Sequence, residues 1–472
     1  MTRREFLAGA AALASGAPAA APKPNIIIML MDDLGWRDAG CQGNSFYETP
    51  NIDRMAAEGM RFTNAYAACP VCSPTRASVM TGKYPARLRL TDWIPGRKQW
   101  PAARLLTPSF EQQLKLEEVT IAEALKPEGY ATASIGKWHL GGPDFYPERQ
   151  GFDLNVCGTE RGSPPSYFPP FKIPGVAERG PGDYLTDNLT ARAEEFIEAS
   201  KNRPFFLYLP HFAVHLPLAA KKAAIEKYAA KARTAGEKWN AIYAGMIESM
   251  DDSAGRILKK VAALGLDRST AIFFLSDNGG LRFEGGSTSP VTVNAPLRAG
   301  KGHLFEGGLR IPLIVRWPQR IRPGVSDAPV ATIDLYPTIQ AMTGAKLRPA
   351  SSVDGVDLTP ALAGRGSLRR EALFWHYPHY SNQGGVPAGA IRKGGFKLIE
   401  FYEDGRLELF NLEDDPGERK NLAASHRAVA RELHSQLRRW RESVGAVMPA
   451  RNPNYDPAKA GQGLTGYEPP TP

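Results

Sequence analysis

The hydrophobic residues of the first three quarters of the chain fall into short runs separated by amphipathic stretches. The run 25–31 is almost wholly apolar and 204–209 resembles it, which is typical of strands that helices cover on both faces. A long helical pattern extends over 238–264. Strands that alternate with helices predict an α/β domain with a large, doubly wound mixed or parallel sheet flanked by helices. The predicted strands are 25–31, 131–135, 204–209, 271–276 and 311–317.

The pattern changes after residue 350, where shorter segments replace the apolar runs. They predict a small antiparallel sheet with a helix at 423–444. We therefore divide the chain into a large domain at 22–350, a C-terminal subdomain at 351–448 and a loose tail at 449–472, which is rich in Pro, Gly and Asn. The predicted strands of the subdomain are 373–377, 390–392, 396–401 and 407–412.

The first 21 residues combine the three parts of an export signal. Arg3 and Arg4 precede a short alanine-rich stretch, which ends in small residues around Ala19–Ala21. This arrangement predicts a twin-arginine-type signal peptide at 1–21, and a chance arginine pair is the alternative. We therefore expect export to the periplasm or beyond. The segment contains no cysteine, which argues against a lipid anchor.

The composition excludes some classes of function. The chain has 58 Lys and Arg against 49 Asp and Glu, a formal net charge of +9. These residues form no clustered basic helix and accompany no aromatic RNA-binding motif, so we expect no nucleic-acid partner. No apolar run is long enough to cross a bilayer, so we expect no stable membrane insertion. A modestly basic surface suits an anionic substrate.

Polar side chains follow two of the predicted strands directly. Asp32 and Asp33 end the first apolar run, and Asp277 and Asn278 end another. Ligand sites of open α/β sheets lie at the carboxyl ends of the strands, so these side chains are expected to meet. A polar loop in which one Asp caps the next helix is the alternative, and it explains one carboxylate better than two.

Two other strands lead into basic side chains. Lys137 and His139 follow the strand 131–135 at strand spacing, so both are expected to face the same side. His211 and His215 follow the strand 204–209. The alternatives are ordinary ones, because most lysines are solvated and a lone histidine is often a satisfied core residue.

A short helix is predicted between residues 73 and 82. Ser73 is a good N-cap, and Pro74 suits the first helical position because its missing N–H costs nothing there. Gly82 is predicted to end the helix.

Cys72 would then lie at the helix N-terminus, where the dipole and free N–H groups favour negative charge. Arg76 lies one turn further along and can point back to the same place. From these residues alone, two interpretations remain open: an ordinary buried cysteine, and a redox pair with Cys69.

Taken together, these stretches resemble the type I sulfatases, the formylglycine-dependent members of the alkaline-phosphatase-like superfamily. The resemblance covers nearly all of 24–422, and six ordered elements are far more specific than one. In that family the cysteine of Cys-x-Pro-x-Arg is oxidised to formylglycine, whereas a redox pair would explain none of the other elements. The matching stretches are Asp32-Asp33-Leu34-Gly35-Trp36, Cys72-Ser73-Pro74-Thr75-Arg76, Gly136-Lys137-Trp138-His139-Leu140, His215-Leu216-Pro217, Ser276-Asp277-Asn278-Gly279, and Lys301 with Glu306-Gly307-Gly308.

The resemblance implies a metal site. Its ligands would be Asp32, Asp33, Asp277, Asn278 and the formylglycine made from Cys72. The four unmodified residues offer oxygen ligands, three of them carboxylates, and such a set prefers a hard divalent cation. By resemblance the ion is Ca²⁺, with Mg²⁺ as the alternative.

The resemblance also implies the catalytic roles. A hydroxyl of the hydrated formylglycine at position 72 would attack sulfur, while the metal and Arg76 hold it in a reactive form. Lys137 and Lys301 would bind the sulfate oxygens and neutralise their charge. His215 would contact the substrate and protonate the leaving alcohol. His139 would take the proton of the remaining hydroxyl and expel sulfate.

The expected activity is that of a sulfatase, a sulfuric ester hydrolase that acts on a sulfated carbohydrate. Its expected partners include a formylglycine-generating maturation enzyme and the twin-arginine export machinery. A phosphate or phosphonate monoester hydrolase of the same superfamily remains an alternative, as does a non-catalytic anion- or glycan-binding protein if Cys72 is not converted. If it is converted, at most one disulfide can form among Cys41, Cys69 and Cys157.

Aromatic and basic side chains outside these motifs suggest contacts with sugar rings and further sulfate groups. The same side chains would also serve to pack the junction between the domains. Phe212 stands where many relatives carry an additional histidine, a departure that concerns substrate fit. The candidate sugar contacts are Trp93, Arg97, Lys98, Trp100, His376, His379 and Tyr380.

Overall fold

The computed structural model describes residues 23–99, 102–235, 239–283, 290–345, 353–365 and 368–459. The predicted signal peptide at 1–21, Trp100, the predicted domain boundary at 350 and the end of the predicted tail lie outside the described residues. Within these ranges, the structure contains no helix with the length and apolar character needed to cross a membrane.

The strands and helices alternate as the apolar pattern predicts. The strands are β1 (Asn25–Met31), β2 (Met60–Tyr66), β3 (Leu105–Leu106), β4 (Ala131–Ile135), β5 (Leu154–Val156), β6 (Phe205–Pro210), β7 (Thr270–Ser276), β8 (Arg310–Arg316), β9 (Gly324–Ser326), β10 (Val330–Ala331), β11 (Leu373–Tyr377), β12 (Ala388–Lys393), β13 (Phe396–Phe401), β14 (Leu407–Asn411) and β15 (Ala450–Arg451). The α-helices are α1 (Pro50–Glu58), α2 (Cys72–Thr81), α3 (Pro85–Leu88), α4 (Ile121–Leu125), α5 (Leu185–Ser200), α6 (Lys222–Ala232), α7 (Ala241–Ala263), α8 (Glu306–Leu309), α9 (Leu335–Thr343), α10 (Thr359–Leu362) and α11 (Arg427–Ser443).

One large sheet forms the centre of the described part of the chain, in the order β10-β2-β8-β7-β1-β6-β4-β5 with β9 beside β2. β1 is flanked by β6 and β7, both parallel to it, and parallel pairing continues through β4 to β5. β8 runs antiparallel to β7 and β2, which makes the sheet mixed. The predicted large, doubly wound mixed sheet is confirmed.

The sequence of β1 lacks polar alternation because both faces of the strand are covered. Ile27 and Met29 belong to a core that includes residues of α1, α5 and α7. Ile26 and Ile28 belong to the opposite core, which includes residues of α2, α4 and α9. All four side chains are fully buried. A strand buried in this way must be apolar at successive positions.

The C-terminal subdomain is an antiparallel sheet in the order β11-β12-β13-β14. One face packs against α11, where Leu433 and Leu437 join the core of the subdomain. The other face packs against the large domain, where the Trp375 and Tyr66 rings meet edge to face at 5.4 Å. The predicted sheet-plus-helix architecture is confirmed, while the domain boundaries remain predictions.

The prediction of a loose tail at 449–472 is wrong for the first residues of that segment. Ala450–Arg451 pairs antiparallel with Leu105–Leu106 as β15 and β3. The Asn452 amide also donates a hydrogen bond of 2.8 Å to the Ala103 carbonyl. The backbone of a distant segment therefore orders a stretch whose composition alone is typical of a loose chain end.

Cys41, Cys69, Cys157 and His211 lie outside the predicted site. Cys41, Cys69, Cys72 and Cys157 are all free thiols, so the predicted upper limit of one disulfide is not reached. His211 is buried and shares a 2.9 Å hydrogen bond with the Ser253 hydroxyl. His211 therefore matches the alternative of a core histidine.

Candidate active site

The side chains of the predicted site lie at the carboxyl-end edge of the central sheet. Asp32 and Asp33 follow β1, and Asp277 and Asn278 follow the neighbouring β7. The backbone N–H of Asp33 donates to the Asp277 carboxylate at 3.2 Å, and the Asn278 amide donates to the Asp33 carboxylate at 2.8 Å. Neighbouring parallel strands thus bring all four side chains together, as their positions in the sequence predict.

The start of α2 differs from the prediction. The helix begins at Cys72, with Val71 as the extended N-cap residue, so Ser73 is not the cap and Pro74 is not the first helical residue. The Ser73 hydroxyl instead accepts a hydrogen bond of 3.1 Å from the Ile94 backbone N–H. A tertiary contact therefore outweighs the local preference of serine for the cap. The predicted end at Gly82 is confirmed, since this residue has a φ of 68°.

Three cations pair with the three carboxylates. Arg76 on α2 contacts Asp277 with Nη2 at 2.7 Å and Nε at 2.9 Å. Lys137, which follows β4, contacts Asp32 at 2.7 Å. The third pair joins the Nζ of Lys301, in the loop before α8, to the Asp33 carboxylate at 2.7 Å. Every one of these side chains is buried.

The two adjacent carboxylates differ in pKa. Burial and the charge of Asp277 raise the pKa of Asp32 to about 7, against the lowering effect of Lys137. Burial also acts to raise the pKa of Asp33, but Lys301 and His215 outweigh it and hold that pKa well below its ordinary range. The negative charge around Asp32 is therefore not fully compensated by the neighbouring cations.

The residues at this edge fit a divalent cation. Asp32 Oδ1 and Asn278 Oδ1 are buried and have no hydrogen-bond partner among the described residues. Ligand atoms of Asp32, Asp33 and His215 lie within 4.8 Å of one another. Buried oxygens without donors, next to a carboxylate whose charge is not compensated, are the environment that a hard cation with oxygen ligands stabilises. The structure thus supports an acidic metal site.

His139 lies in a loop after β4 rather than on the strand, so its strand spacing from Lys137 does not apply, although both side chains face the same site. β4 ends at Ile135, and Gly136 and His139 both have positive φ, 130° and 58°. His139 Nε2 donates to the Ile94 carbonyl at 2.5 Å. The other ring nitrogen, Nδ1, lies 3.5 Å from the Cys72 sulfur.

The hydrogen bond to the carbonyl fixes the tautomer of His139. A carbonyl can only accept, so the proton of the neutral ring is on Nε2, and Nδ1 faces Cys72 with a free electron pair. Burial and the charge of Lys137 lower the pKa of His139 well below its ordinary value. The ring is therefore neutral near pH 7 and can accept a proton from the side chain at position 72.

His215 has a different environment. Its Nδ1 donates to the Leu216 carbonyl at 2.8 Å, and Nε2 lies 3.7 Å from the Asp33 carboxylate. Burial and Lys301 lower the pKa of His215 to about 3. Its side chain is 17% exposed, more than those of Lys301 and Asp33, at 8% and 1%. Of these three side chains, His215 is thus the one that an incoming molecule can reach most easily.

Several residues near the site carry no motif that sequence reasoning could use. Tyr167 is buried, and its hydroxyl donates to the backbone carbonyls of Phe212 and His215, at 2.7 and 2.8 Å. At Gly162, a Cβ atom would lie 2.6 Å from the His139 ring, so the absence of a side chain leaves room for the imidazole. Their contacts are visible only in the folded chain.

The predicted sugar contacts divide into two groups. Arg97 and Lys98 line a small cavity together with His379 and Tyr380. His376 instead hydrogen-bonds the Tyr402 hydroxyl and the Val447 carbonyl, at 2.8 and 3.0 Å, which is a packing role within the subdomain.

The chain matches two family models. One, described as Sulfatase, matches residues 24–345 and so covers more than half of the chain. The chain belongs to the sulfatase family. The other, described as N-sulphoglucosamine sulphohydrolase, C-terminal, matches residues 300–443. Family membership makes this sulfatase a sulfuric ester hydrolase, as the sequence predicts.

Individual relatives support the same conclusion over nearly the whole chain. Arylsulfatase A of Bos taurus is 34% identical and aligns with 89% of this chain and 87% of its own length. N-acetylgalactosamine-6-sulfatase of Mus musculus is 35% identical over 90% of this chain and 80% of its own. Among solved structures, Ps i-CgsB superposes with a TM-score of 0.76 at 29% identity, covering 93% of this chain and 96% of that chain.

Proposed function

We propose that this sulfatase hydrolyses a sulfate ester of a carbohydrate, with a formylglycine made from Cys72 as its nucleophile. The geometry around Cys72 carries the proposal. The Cys72 sulfur lies at the N-terminus of α2, 3.5 Å from His139 Nδ1, which carries a free electron pair. The charges of Lys137 and Lys301 act on the same atom. A base and two cations thus converge on one buried side chain.

The first half of the reaction transfers the sulfuryl group to position 72. Formylglycine adds water to give a diol, and one of its hydroxyls loses its proton to solvent and attacks sulfur while the bond from sulfur to the substrate oxygen breaks. Lys137 and Lys301 stabilise the charge on the sulfate oxygens. His215 donates its proton to the leaving alcohol, and a bound anionic sulfate favours the protonated ring that this step requires.

The second half releases sulfate. His139 Nδ1 takes the proton of the remaining hydroxyl, and the electron pair of that O–H bond becomes the second bond of a carbonyl. The C–O bond to sulfate breaks, and sulfate leaves with its electron pair. Water then adds to the aldehyde, so one water is consumed for each ester cleaved.

We propose that Asp32, Asp33, Asp277 and Asn278 hold Ca²⁺, with Mg²⁺ as the alternative ion. The ion would also contact the side chain at position 72, and when bound it supplies Lewis-acid stabilisation of negative charge. The partnerless oxygens of Asp32 and Asn278 support this assignment. Arg76, which lies between Asp277 and Asp32, holds these two carboxylates in place.

Two relatives bear on the choice of a carbohydrate substrate. Ps i-CgsB is also solved in complex with k-i-k-neocarrahexaose, at 30% identity and a TM-score of 0.75. Another relative, at 25% identity and a TM-score of 0.68, is described in complex with its substrate D-glucosamine-2-N,6-O-disulfate. We propose that Arg97 and Lys98 contact further anionic groups of such a substrate, beside His379 and Tyr380.

We also propose that the protein reaches the periplasm or the exterior through the twin-arginine machinery, and that a formylglycine-generating enzyme modifies Cys72. The paired arginines and the alanine-rich stretch within 1–21 support export. The stretch 72–76, in the order Cys-Ser-Pro-Thr-Arg, supports modification.

Peptide mass spectrometry tests the central proposal. Trypsin releases residues 62–76, a peptide that contains both Cys69 and Cys72. Protein made with an active maturation enzyme is expected to lose about 18 Da at position 72, as conversion of a thiol to an aldehyde requires. Cys69 in the same peptide is the internal control and should remain a thiol, which fragment ions between the two positions can establish.

If Cys72 were unmodified in protein made with an active maturation enzyme, the result would contradict the proposal. It would instead favour a non-catalytic anion- or glycan-binding protein. A paired assay on sulfate and phosphate esters of the same aryl alcohol addresses the other alternative. We expect the sulfate ester to be cleaved with the higher kcat/KM. A preference for the phosphate ester would instead favour a phosphate or phosphonate monoester hydrolase.

Removal of divalent cations is expected to abolish turnover and to lower the thermal midpoint. Without the ion, Asp32 and its neighbours face one another with uncompensated charge, and a cation at about 100 times its Kd restores about 2.7 kcal/mol of stability. The measurement is a thermal melt and an aryl sulfate assay after dialysis against a chelator, with Ca²⁺ or Mg²⁺ added back. Unchanged melting and activity after complete metal removal would contradict the proposed site.

A further inference from the structure

The loop that follows α3 contacts both the helix that begins at Cys72 and the His139 imidazole that faces this residue. The Ile94 backbone N–H donates to the Ser73 hydroxyl at 3.1 Å, and Ser73 is the neighbour of Cys72 on α2. The Ile94 carbonyl accepts from His139 Nε2 at 2.5 Å. One residue of this loop therefore connects the helix of the nucleophile to the imidazole that faces it.

Asp92 fixes the part of the loop that contains Ile94. Its carboxylate is buried and accepts a hydrogen bond of 2.9 Å from the Trp93 backbone N–H, and the Arg97 backbone N–H also donates to it. Both ends of the turn 93–97 are thus attached to one carboxylate. The position of the Ile94 carbonyl depends on that attachment.

Asp92 is itself held from the C-terminal subdomain. The Tyr377 hydroxyl, at the end of β11, donates to the Asp92 carboxylate at 2.9 Å. Tyr377 is fully buried, so its hydroxyl has no solvent partner to replace this contact. His379, two residues further on, shares a 2.8 Å hydrogen bond with the Thr91 hydroxyl. The strand end and the loop are therefore joined by two buried hydrogen bonds.

We propose that Tyr377 is a positioning residue for the sulfatase reaction, acting through Asp92 and the Ile94 carbonyl to aim the His139 imidazole at the side chain of position 72. The inference rests on the proposed function of formylglycine and His139. His139 removes the hydroxyl proton that allows the C–O bond to sulfate to break. A misaligned imidazole therefore slows sulfate release and leaves the attack on sulfur largely intact.

The test compares Tyr377→Phe with Tyr402→Phe in the full-length, matured protein. Both substitutions remove one hydroxyl from a tyrosine of the subdomain, Tyr377 being buried and Tyr402 partly buried. The Tyr402 hydroxyl hydrogen-bonds His376 at 2.8 Å rather than the loop. We expect Tyr377→Phe to lower kcat by about 10- to 100-fold, since small displacements of a reacting group have effects of this size. KM should fall by a similar factor and kcat/KM should change by less than about twofold, because the attack on sulfur is left intact and only the release of sulfate is slowed.

Intact mass during turnover provides a readout that a loss of stability would not produce. Tyr377→Phe is expected to accumulate protein that retains a sulfuryl group at position 72 and is heavier by about 80 Da than the hydrated aldehyde, or by about 98 Da than the aldehyde itself. Tyr402→Phe and the unsubstituted protein should show no such species. Asp92→Asn is a second variant, and it should give a smaller accumulation because its amide oxygen still accepts one hydrogen bond.

The outcomes separate the two proposals. Wild-type kcat in Tyr377→Phe, or equal losses of kcat in Tyr377→Phe and Tyr402→Phe without a heavier species, overturns the positioning role alone. An unmodified thiol at Cys72 in the active, unsubstituted protein overturns the proposed function and the inference together.

Discussion

Cys72→Ser is expected to react once with a sulfate ester and then stop. Serine has a single hydroxyl, so after it has attacked sulfur no second hydroxyl remains from which His139 can take a proton. The sulfated serine can be released only by attack of water, a step that the proposed mechanism does not contain. We expect steady-state turnover to fall by at least about 10³-fold.

The measurement combines an aryl sulfate assay with intact mass. After incubation with substrate, Cys72→Ser should gain about 80 Da while product formation stops near one equivalent. Cys72→Ala is the matched control and should form neither product nor adduct, since it has no nucleophile. A peptide spectrum must show that the serine at position 72 is itself unmodified. Sustained turnover by that protein would contradict a mechanism that requires a diol.

The proximity of the proposed metal ligands could be predicted from the sequence because a topological rule acts on local patterns. Asp32 and Asp277 each end an apolar run, and parallel strands of one sheet place such ends at the same edge. The pairing of β1 with β7 runs in register from Asn25 opposite Thr270 to Met31 opposite Ser276. The two strands are far apart in the sequence, but because each of these side chains lies at the end of its own strand, the pairing brings them together.

The local geometry around the nucleophile could not be predicted in the same way. Ser73 has the best N-cap chemistry in its segment, yet its hydroxyl serves Ile94, which lies 21 residues away along the chain. His139 has strand spacing relative to Lys137, yet Gly136 with a φ of 130° ends the strand first. In both cases a tertiary contact or a backbone turn outweighs a local preference.

Residues that position the site without touching the substrate have no sequence signal at all. Asp92 lies in the loop after α3, and Tyr377 lies at the end of β11, 285 positions further along the chain. Neither residue lies in a recognisable motif. A buried polar side chain needs a partner, but the sequence does not say which one. The same reasoning applies to β15 and β3, because nothing in the sequence indicates that two residues of the tail pair with Leu105–Leu106.

A second buried charge cluster attaches the loop of Lys301 to the C-terminal sheet. Lys397 on β13 contacts Glu306 and Glu418, both at 2.9 Å, and all three side chains are fully buried. Arg310 contacts Glu306 as well, at 2.6 Å. Burial acts to raise the pKa of Glu306, but Lys397 and Arg310 outweigh it and hold that pKa at about 2. Glu306 begins α8, five residues after Lys301, so the cluster supports the active-site loop.

Lys397→Met is therefore expected to lower the free energy of unfolding by about 3–5 kcal/mol, because the substitution leaves buried carboxylate charge without its partner. The measurement is urea denaturation, and Lys393→Met is the control, since Lys393 forms its ion pairs with Glu371 and Glu432 at the surface of the same sheet. The double variant Lys397→Met/Glu418→Gln should recover part of the loss, because it removes one unpaired charge. If Lys397→Met were no more destabilising than Lys393→Met, the cluster would not hold the subdomain to the active-site loop.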